Sequence, residues 1–161
     1  MTPTSKQKAQ LIAVFIVAAG LFALFGPGGW LGGGKTADGV DPTDPALVAQ
    51  GKTVYADNCA SCHGARLEGQ PDWRSRNPDG TLKAPPHDET GHTWHHPDGQ
   101  LVLMIERGGQ ALLGEDGVSG MPGFGDILSQ GDIDSVLAYI KTSWPENIRS
   151  RQAEISALYG N

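Results

Sequence analysis

The chain has two cysteines in 161 residues, and they stand three apart: Cys59-Ala60-Ser61-Cys62, followed directly by His63. C-x-x-C-H is the attachment signature of a c-type haem. Each thiol can add to one haem vinyl group and form a thioether, and the adjacent imidazole can reach the iron from the same short turn. The pair therefore predicts one covalent haem c, held through Cys59 and Cys62, with His63 as a ligand to its iron. Whatever fold the chain adopts must then pack against a large, flat, apolar group fixed at this turn. Three other readings of the pair fit less well. A structural zinc site needs four ligands, usually with a second Cys or His pair at matching spacing, and no second Cys pair exists here. A thioredoxin-like dithiol needs a βαβ setting, and strand-like alternation is scarce. A disulfide between cysteines so close in sequence would staple almost nothing, because its stabilisation grows with loop length.

Composition suits a small domain built on such a group. Beyond its N-terminal segment the chain leaves about 120 residues, enough for one domain. It is poor in aromatics and carries 23 glycines, so its own core is modest. The net charge of −6 argues against nucleic-acid binding.

Residues 11–25, LIAVFIVAAGLFALF, are uncharged and apolar. Extended through Gly26 to Leu31, the segment reaches about 20 residues, the span of a bilayer core. Lys6 and Lys8 precede it, which by the positive-inside rule leaves residues 1–10 in the cytoplasm and exports the rest. A cleaved signal peptide shares the basic start and apolar core, but Pro27-Gly28-Gly29-Trp30-Leu31 is a poor cleavage site. The expectation is a single transmembrane helix over 11–31, with the following domain on the periplasmic face of the inner membrane. Residues 32–44, GGGKTADGVDPTD, read as a flexible tether with a reach of about 20 Å.

The remainder reads as short helices separated by loops. Asp44 and Pro45 predict a helix start, with Asp44 as N-cap and Pro45 at the first helical position. That helix runs into the Cys59 turn, with Leu47, Gly51 and Tyr55 on one face. Gly51 costs such a helix about 1 kcal/mol against alanine, which a close helix crossing would explain. Residues 68–96 read as loop, long enough to need a ligand to wrap. Pro97 starts a helix over Asp98–Arg107 that Gly108 ends, and residues 109–126 read as glycine-rich loop. Asp132 is the expected cap of a helix over Ile133–Ser143, which buries Ile133, Val136, Leu137 and Ile140. Pro145 interrupts it, and Ser143 with Glu146 could form a capping box around the break. In the C-terminal tail, 145–161, Ile148, Ile155, Leu158 and Tyr159 form one narrow apolar stripe.

A sixth ligand to iron has few sources. Met1 falls on the wrong side of the membrane, and Met104 lies within an amphipathic helix where packing accounts for it. Met121, in Ser119-Gly120-Met121-Pro122-Gly123-Phe124, sits on a loop able to bring its thioether across the haem face opposite His63. Histidines compete: His87, His92, His95 and His96 crowd one segment, HDETGHTWHH. Bis-His ligation would give a lower potential than His/Met, and the same cluster could bind copper or zinc or simply form a solvated or propionate-facing loop.

Taken in order, these residues resemble a class I c-type cytochrome over about residues 45–144. The resemblance rests on Gly51-x-x-x-Tyr55-x-x-x-Cys59-x-x-Cys62-His63-Gly64, Leu67-x-Gly69, Ala84-Pro85-Pro86, Met121-Pro122 and the helix bearing Tyr139. It implies an all-α fold, a cytochrome c-like bundle of short helices around one covalent haem, here preceded by a membrane anchor. Gly51 and Tyr55 would match positions that meet an aromatic of the C-terminal helix, here Tyr139. Pro85 would match the proline whose carbonyl orients His63, and Trp94 lies near where such proteins place a propionate contact. The His-rich insert between Gly69 and Pro97 exceeds the minimal pattern. The implied function is that of a membrane-tethered monohaem one-electron carrier of a bacterial respiratory or photosynthetic chain, not an enzyme. Its implied partners are a quinol-oxidising cytochrome bc complex and a terminal oxidase or photosynthetic reaction centre. Two alternatives stay open: a haem-carrying subunit of a larger oxidoreductase, and a sensor or catalyst with a labile sixth position.

Overall fold

The computed structural model describes residues 39–115 and 117–159. The expected cytoplasmic stretch, the 11–31 membrane segment and the first part of the tether lie outside the described residues. Among those described, no helix is long and apolar enough to cross a membrane. Six α-helices are described: α1 (Pro45–Asn58), α2 (Ala60–His63), α3 (Asp98–Arg107), α4 (Gln110–Leu113), α5 (Gln130–Thr142) and α6 (Glu146–Tyr159), with a 3-10 turn at Thr93–His95. The described residues contain no strand. Isolated bridges join Leu82 to Arg76 and to Ser119, so the fold is helical, as expected.

The core is the crossing of α1 and α5. Asp44 caps α1 as its position predicts, its carboxylate accepting from the backbone N–H groups of Ala46 at 2.9 Å and Leu47 at 3.3 Å. A β-carbon on Gly51 would stand 1.8 Å from the Ser135 carbonyl oxygen, so α5 crosses directly over this glycine and no larger residue fits. The close approach lets Tyr55 meet Tyr139, ring centroids 5.4 Å apart. Val54, Tyr55, Leu67, Val136, Ile140 and Trp144 form one buried cluster around this contact. Each large apolar side chain buried there contributes about 1.5–3 kcal/mol.

Several boundaries differ from expectation for local reasons. Helix α5 starts earlier, at Gln130, because Ser129 is its cap. The Ser129 hydroxyl accepts from Asp132 N–H at 3.2 Å, while the Asp132 carboxylate accepts from Ser129 N–H at 3.0 Å. This is a reciprocal capping box with Asp132 at its third position. No such box forms at Ser143 and Glu146: the Ser143 hydroxyl donates to the Ile140 carbonyl at 2.7 Å, and Glu146 pairs with Arg149. Within the 109–126 loop, α4 adds one helical turn. Gln110 braces it, donating to the carbonyls of Gly114 at 2.7 Å and Gly117 at 3.1 Å and accepting from Ser119 N–H at 3.0 Å.

The tail is helical, but its apolar stripe is not the face it buries. Leu158 and Tyr159 are each 74% exposed, whereas Gln152 is 1% exposed and Ser156 is also buried. The reason is a buried ion pair, Lys141 Nζ to Asp98 Oδ2 at 2.7 Å. A buried carboxylate must have its acceptor positions filled. Gln152 donates to Asp98 Oδ1 at 2.7 Å and to the His96 carbonyl at 3.1 Å, and the Ser156 hydroxyl accepts from Asp98 N–H at 3.0 Å. The end of the tether joins the same cluster. Val40 is buried, its N–H donating to Asp98 Oδ2 at 2.7 Å and its carbonyl accepting from Lys141 Nζ at 3.1 Å.

Candidate haem site

Helix α1 delivers the chain straight into the cysteine turn. Cys59 N–H donates to the Tyr55 carbonyl at 2.9 Å, and His63 N–H donates to the Cys59 carbonyl at 2.9 Å. The single turn of α2 thus presents Cys59, Cys62 and His63 together. Both thiols are free; Cys59 is half-buried against the core cluster and Cys62 is exposed. Burial, and after it the neighbouring Cys62, pushes the Cys59 thiol up to about 11. The Tyr55 hydroxyl ties the turn back to α1 by donating to the Gly64 carbonyl at 2.8 Å.

His63 is buried, and its Nδ1 lies 2.9 Å from the Pro85 carbonyl oxygen. A carbonyl can only accept, so Nδ1 carries the proton and Nε2 keeps a lone pair. Burial lowers the pKa of His63, with the Pro85 contact opposing, which favours the neutral ring a metal needs. Gly69 makes the approach of Pro85 possible. It has φ +68°, and a β-carbon there would stand 2.4 Å from Pro86 N and 2.7 Å from the Pro85 carbonyl carbon.

The histidine-rich insert is not one cluster. His87 turns inward, half-buried, and stacks on the His63 ring with centroids 4.1 Å apart and planes 22° from parallel. A ring stacked on His63 stands beside it, so it cannot serve the opposite side of a metal that His63 binds. His92 stacks on Trp73, His95 on Trp94, and His96 meets His92 edge-on. Among the described residues no group of three or more histidine, cysteine or carboxylate side chains is arranged to hold a metal ion. Trp94 packs against the core cluster that holds Cys59, and its indole N–H is buried without a hydrogen-bond partner. Met121 sits on a loop pinned through its backbone: its carbonyl accepts from Gly109 N–H at 3.1 Å, and Phe124 N–H donates to the Ile105 carbonyl at 2.8 Å. The structure thus gathers Cys59, Cys62, His63 and Pro85 at one turn, with Trp94 on the adjoining core, and carries Met121 on a separate loop.

These residues fit a haem. Two free thiols at attachment spacing adjoin an imidazole whose Nε2 lone pair is available, and a buried N–H nearby lacks the acceptor that a carboxylate would provide. Residues 48–144 match the family described as cytochrome c. The chain belongs to the cytochrome c family. Like other cytochromes c it carries a covalent c-type haem, and its chemistry is electron transfer. The Cbb3-type cytochrome c oxidase subunit FixP of Sinorhizobium medicae is 68% identical over 28 residues, 17% of this chain and 10% of that protein. FixP of Azorhizobium caulinodans is 33% identical over 94 residues, 58% of this chain and 28% of that protein. Cytochrome c6 of a Synechocystis species is 32% identical over 95 residues, 59% of this chain and 64% of that protein. The chain therefore spans less than a third of the length of these FixP relatives. No solved structure matches this cytochrome c sequence.

His87 is the residue that sequence reasoning misplaced, by grouping it with the three histidines that follow. A signal was present: it stands two residues after Pro85, the residue already expected to hold His63.

Proposed function

We propose that this cytochrome c is a one-electron carrier whose iron is held by His63 and Met121, and that it passes electrons to a terminal oxidase at the periplasmic face of the membrane. The observation that carries the reading is the His63–Pro85 contact at 2.9 Å, which commits Nδ1 to a carbonyl and leaves Nε2 for iron. The haem supplies a reversible one-electron couple at its iron. Cys59 and Cys62 would fix the group to α2, and His63 would offer its Nε2 lone pair without changing protonation. Met121 would supply a thioether as the second protein ligand, a type of ligand that raises the potential. The buried N–H of Trp94 would be available to a haem propionate. No proton transfer or bond cleavage is asked of the chain.

The similarity to FixP favours a terminal oxidase as electron acceptor over a reaction centre. It also supports the second reading, in which the domain works as a haem subunit held within an oxidase complex rather than as a mobile carrier. Under either reading the 11–31 segment anchors the domain, and the tether keeps it at high effective concentration beside membrane partners. Substitution of Met121 by alanine tests the ligand set: the reduction potential should fall and the ferrous protein should bind carbon monoxide. Unchanged ligation would remove Met121 from the site. Purification in mild detergent separates the two physiological readings, because a stoichiometric complex with oxidase subunits supports the subunit and a free monohaem protein supports the carrier.

A further inference from the structure

We propose that His87 is a positioning residue for the proximal ligand: stacked face to face on His63, it fixes the plane in which that imidazole stands against the haem. The hydrogen bond from His63 Nδ1 to the Pro85 carbonyl sets one direction of the ring but leaves it free to turn about that bond. A second ring lying parallel at 4.1 Å removes this freedom. His87 can act so because its ring and its backbone are themselves held. Its Nδ1 shares a 2.8 Å hydrogen bond with Thr93 Oγ1, and the edge of its ring meets Tyr55 at 6.4 Å and 78°. Its backbone N–H donates to the Leu67 carbonyl at 2.8 Å, and its carbonyl accepts from Trp144 Nε1 at 2.7 Å. Pro85, which orients one edge of His63, and His87, which covers its face, are two residues apart. One short segment therefore sets both the tilt and the rotation of the ligand, and the core residues Trp144 and Tyr55 support it.

The orientation of an axial imidazole governs the unpaired-spin distribution over an oxidised low-spin haem. The test is therefore the spread of the haem-methyl proton resonances and the electron paramagnetic g-anisotropy of the oxidised holoprotein. His87→Phe keeps a flat ring on His63 and should retain the wild-type pattern. His87→Leu fills similar space without a flat face and should shift both signatures. Thr93→Val, which conserves volume and frees the His87 ring to turn, should shift them in the same direction by less. A wild-type pattern in His87→Leu, or equal shifts in His87→Leu and His87→Phe, would overturn the proposal. Should His87→Leu fail to fold, an unchanged pattern in Thr93→Val would overturn it equally. The inference rests on His63 being an iron ligand, and failure of that premise would show separately, as the absence of a low-spin imidazole-ligated spectrum in the unsubstituted protein.

Discussion

Substituting Gly51 by alanine sets helix propensity against packing, and the structure says which wins. In an exposed helix the change would stabilise by about 1 kcal/mol, since alanine loses less backbone entropy. Here the added β-carbon would stand 1.8 Å from the Ser135 carbonyl oxygen and 3.0 Å from Tyr139 Cβ. An ordinary carbon–oxygen contact is about 3.3 Å, so α1 and α5 must separate by about 1.5 Å. The obstacle is backbone, which cannot swing aside as a side chain could. Overpacking of this kind costs about 3 kcal/mol at the upper end of its usual range. Net destabilisation should then be about 2 kcal/mol. For a domain of this size that is a fall of roughly 8 °C in Tm, at about 4 °C per kcal/mol. Thermal unfolding of the holoprotein, followed by circular dichroism, measures it. The parting of Tyr55 from Tyr139 should also appear as a change in near-ultraviolet signal before unfolding. An unchanged or higher Tm would refute the close crossing on which the core is built.

Three further outcomes are expected. Lys141→Met strips Asp98 of its buried partner and should cost about 3–5 kcal/mol in guanidine unfolding; adding Asp98→Asn, which removes the charge but keeps an acceptor for Val40 N–H and Gln152, should cost less than the sum of the two single losses, and additive losses in the double variant would contradict the pairing. The Asp132 carboxyl is held below its ordinary value of 3.8, first by the Ser129 hydroxyl and next by the Gln50 amide. A carboxyl depressed on folding contributes stability that is full above the unfolded pKa and lost as pH falls through the folded one. Asp132→Asn should therefore flatten the acid limb of stability below about pH 4, and a curve parallel to wild type would count against the capping box. With Trp94 in the proposed contact to a propionate, Trp94→Phe would remove a donor that favours the ionised form, so the pH at which the reduction potential of the holoprotein begins to change should move upward; an unaltered potential–pH curve would free Trp94 of that role.

What could be read from the residues was what is local. Asp44-Pro45 marks the start of α1 because cap and proline act within one turn, and Gly51 announces a crossing because nothing else justifies glycine there. Pro97 and Gly108 bracket α3 for the same reason. The start of α5 was harder: Gln130-Gly131 looks non-helical, and the apolar stripe begins only at Ile133, so Asp132 was the natural cap until Ser129 supplied the other half of the box. The polar face of α6 was out of reach, because Gln152 is buried for the sake of Asp98, 54 positions away. Within the haem site, Cys59, Cys62 and His63 are one contiguous signature. The His63–Pro85 contact followed from resemblance rather than spacing. His87 was hidden by composition, since four histidines in one segment suggest a single cluster until the first of them is seen to stack on His63.

A single covalent haem should exchange one electron while His63 and Met121 stay bound. A spectroelectrochemical titration of the detergent-extracted protein tests it most directly. The expected result is one haem per chain and a single reversible one-electron wave, with low-spin spectra in both oxidation states and a sulfur-to-iron charge-transfer band in the oxidised form. A high-spin or carbon monoxide-binding ferrous form, or a potential in the bis-histidine range, would contradict it.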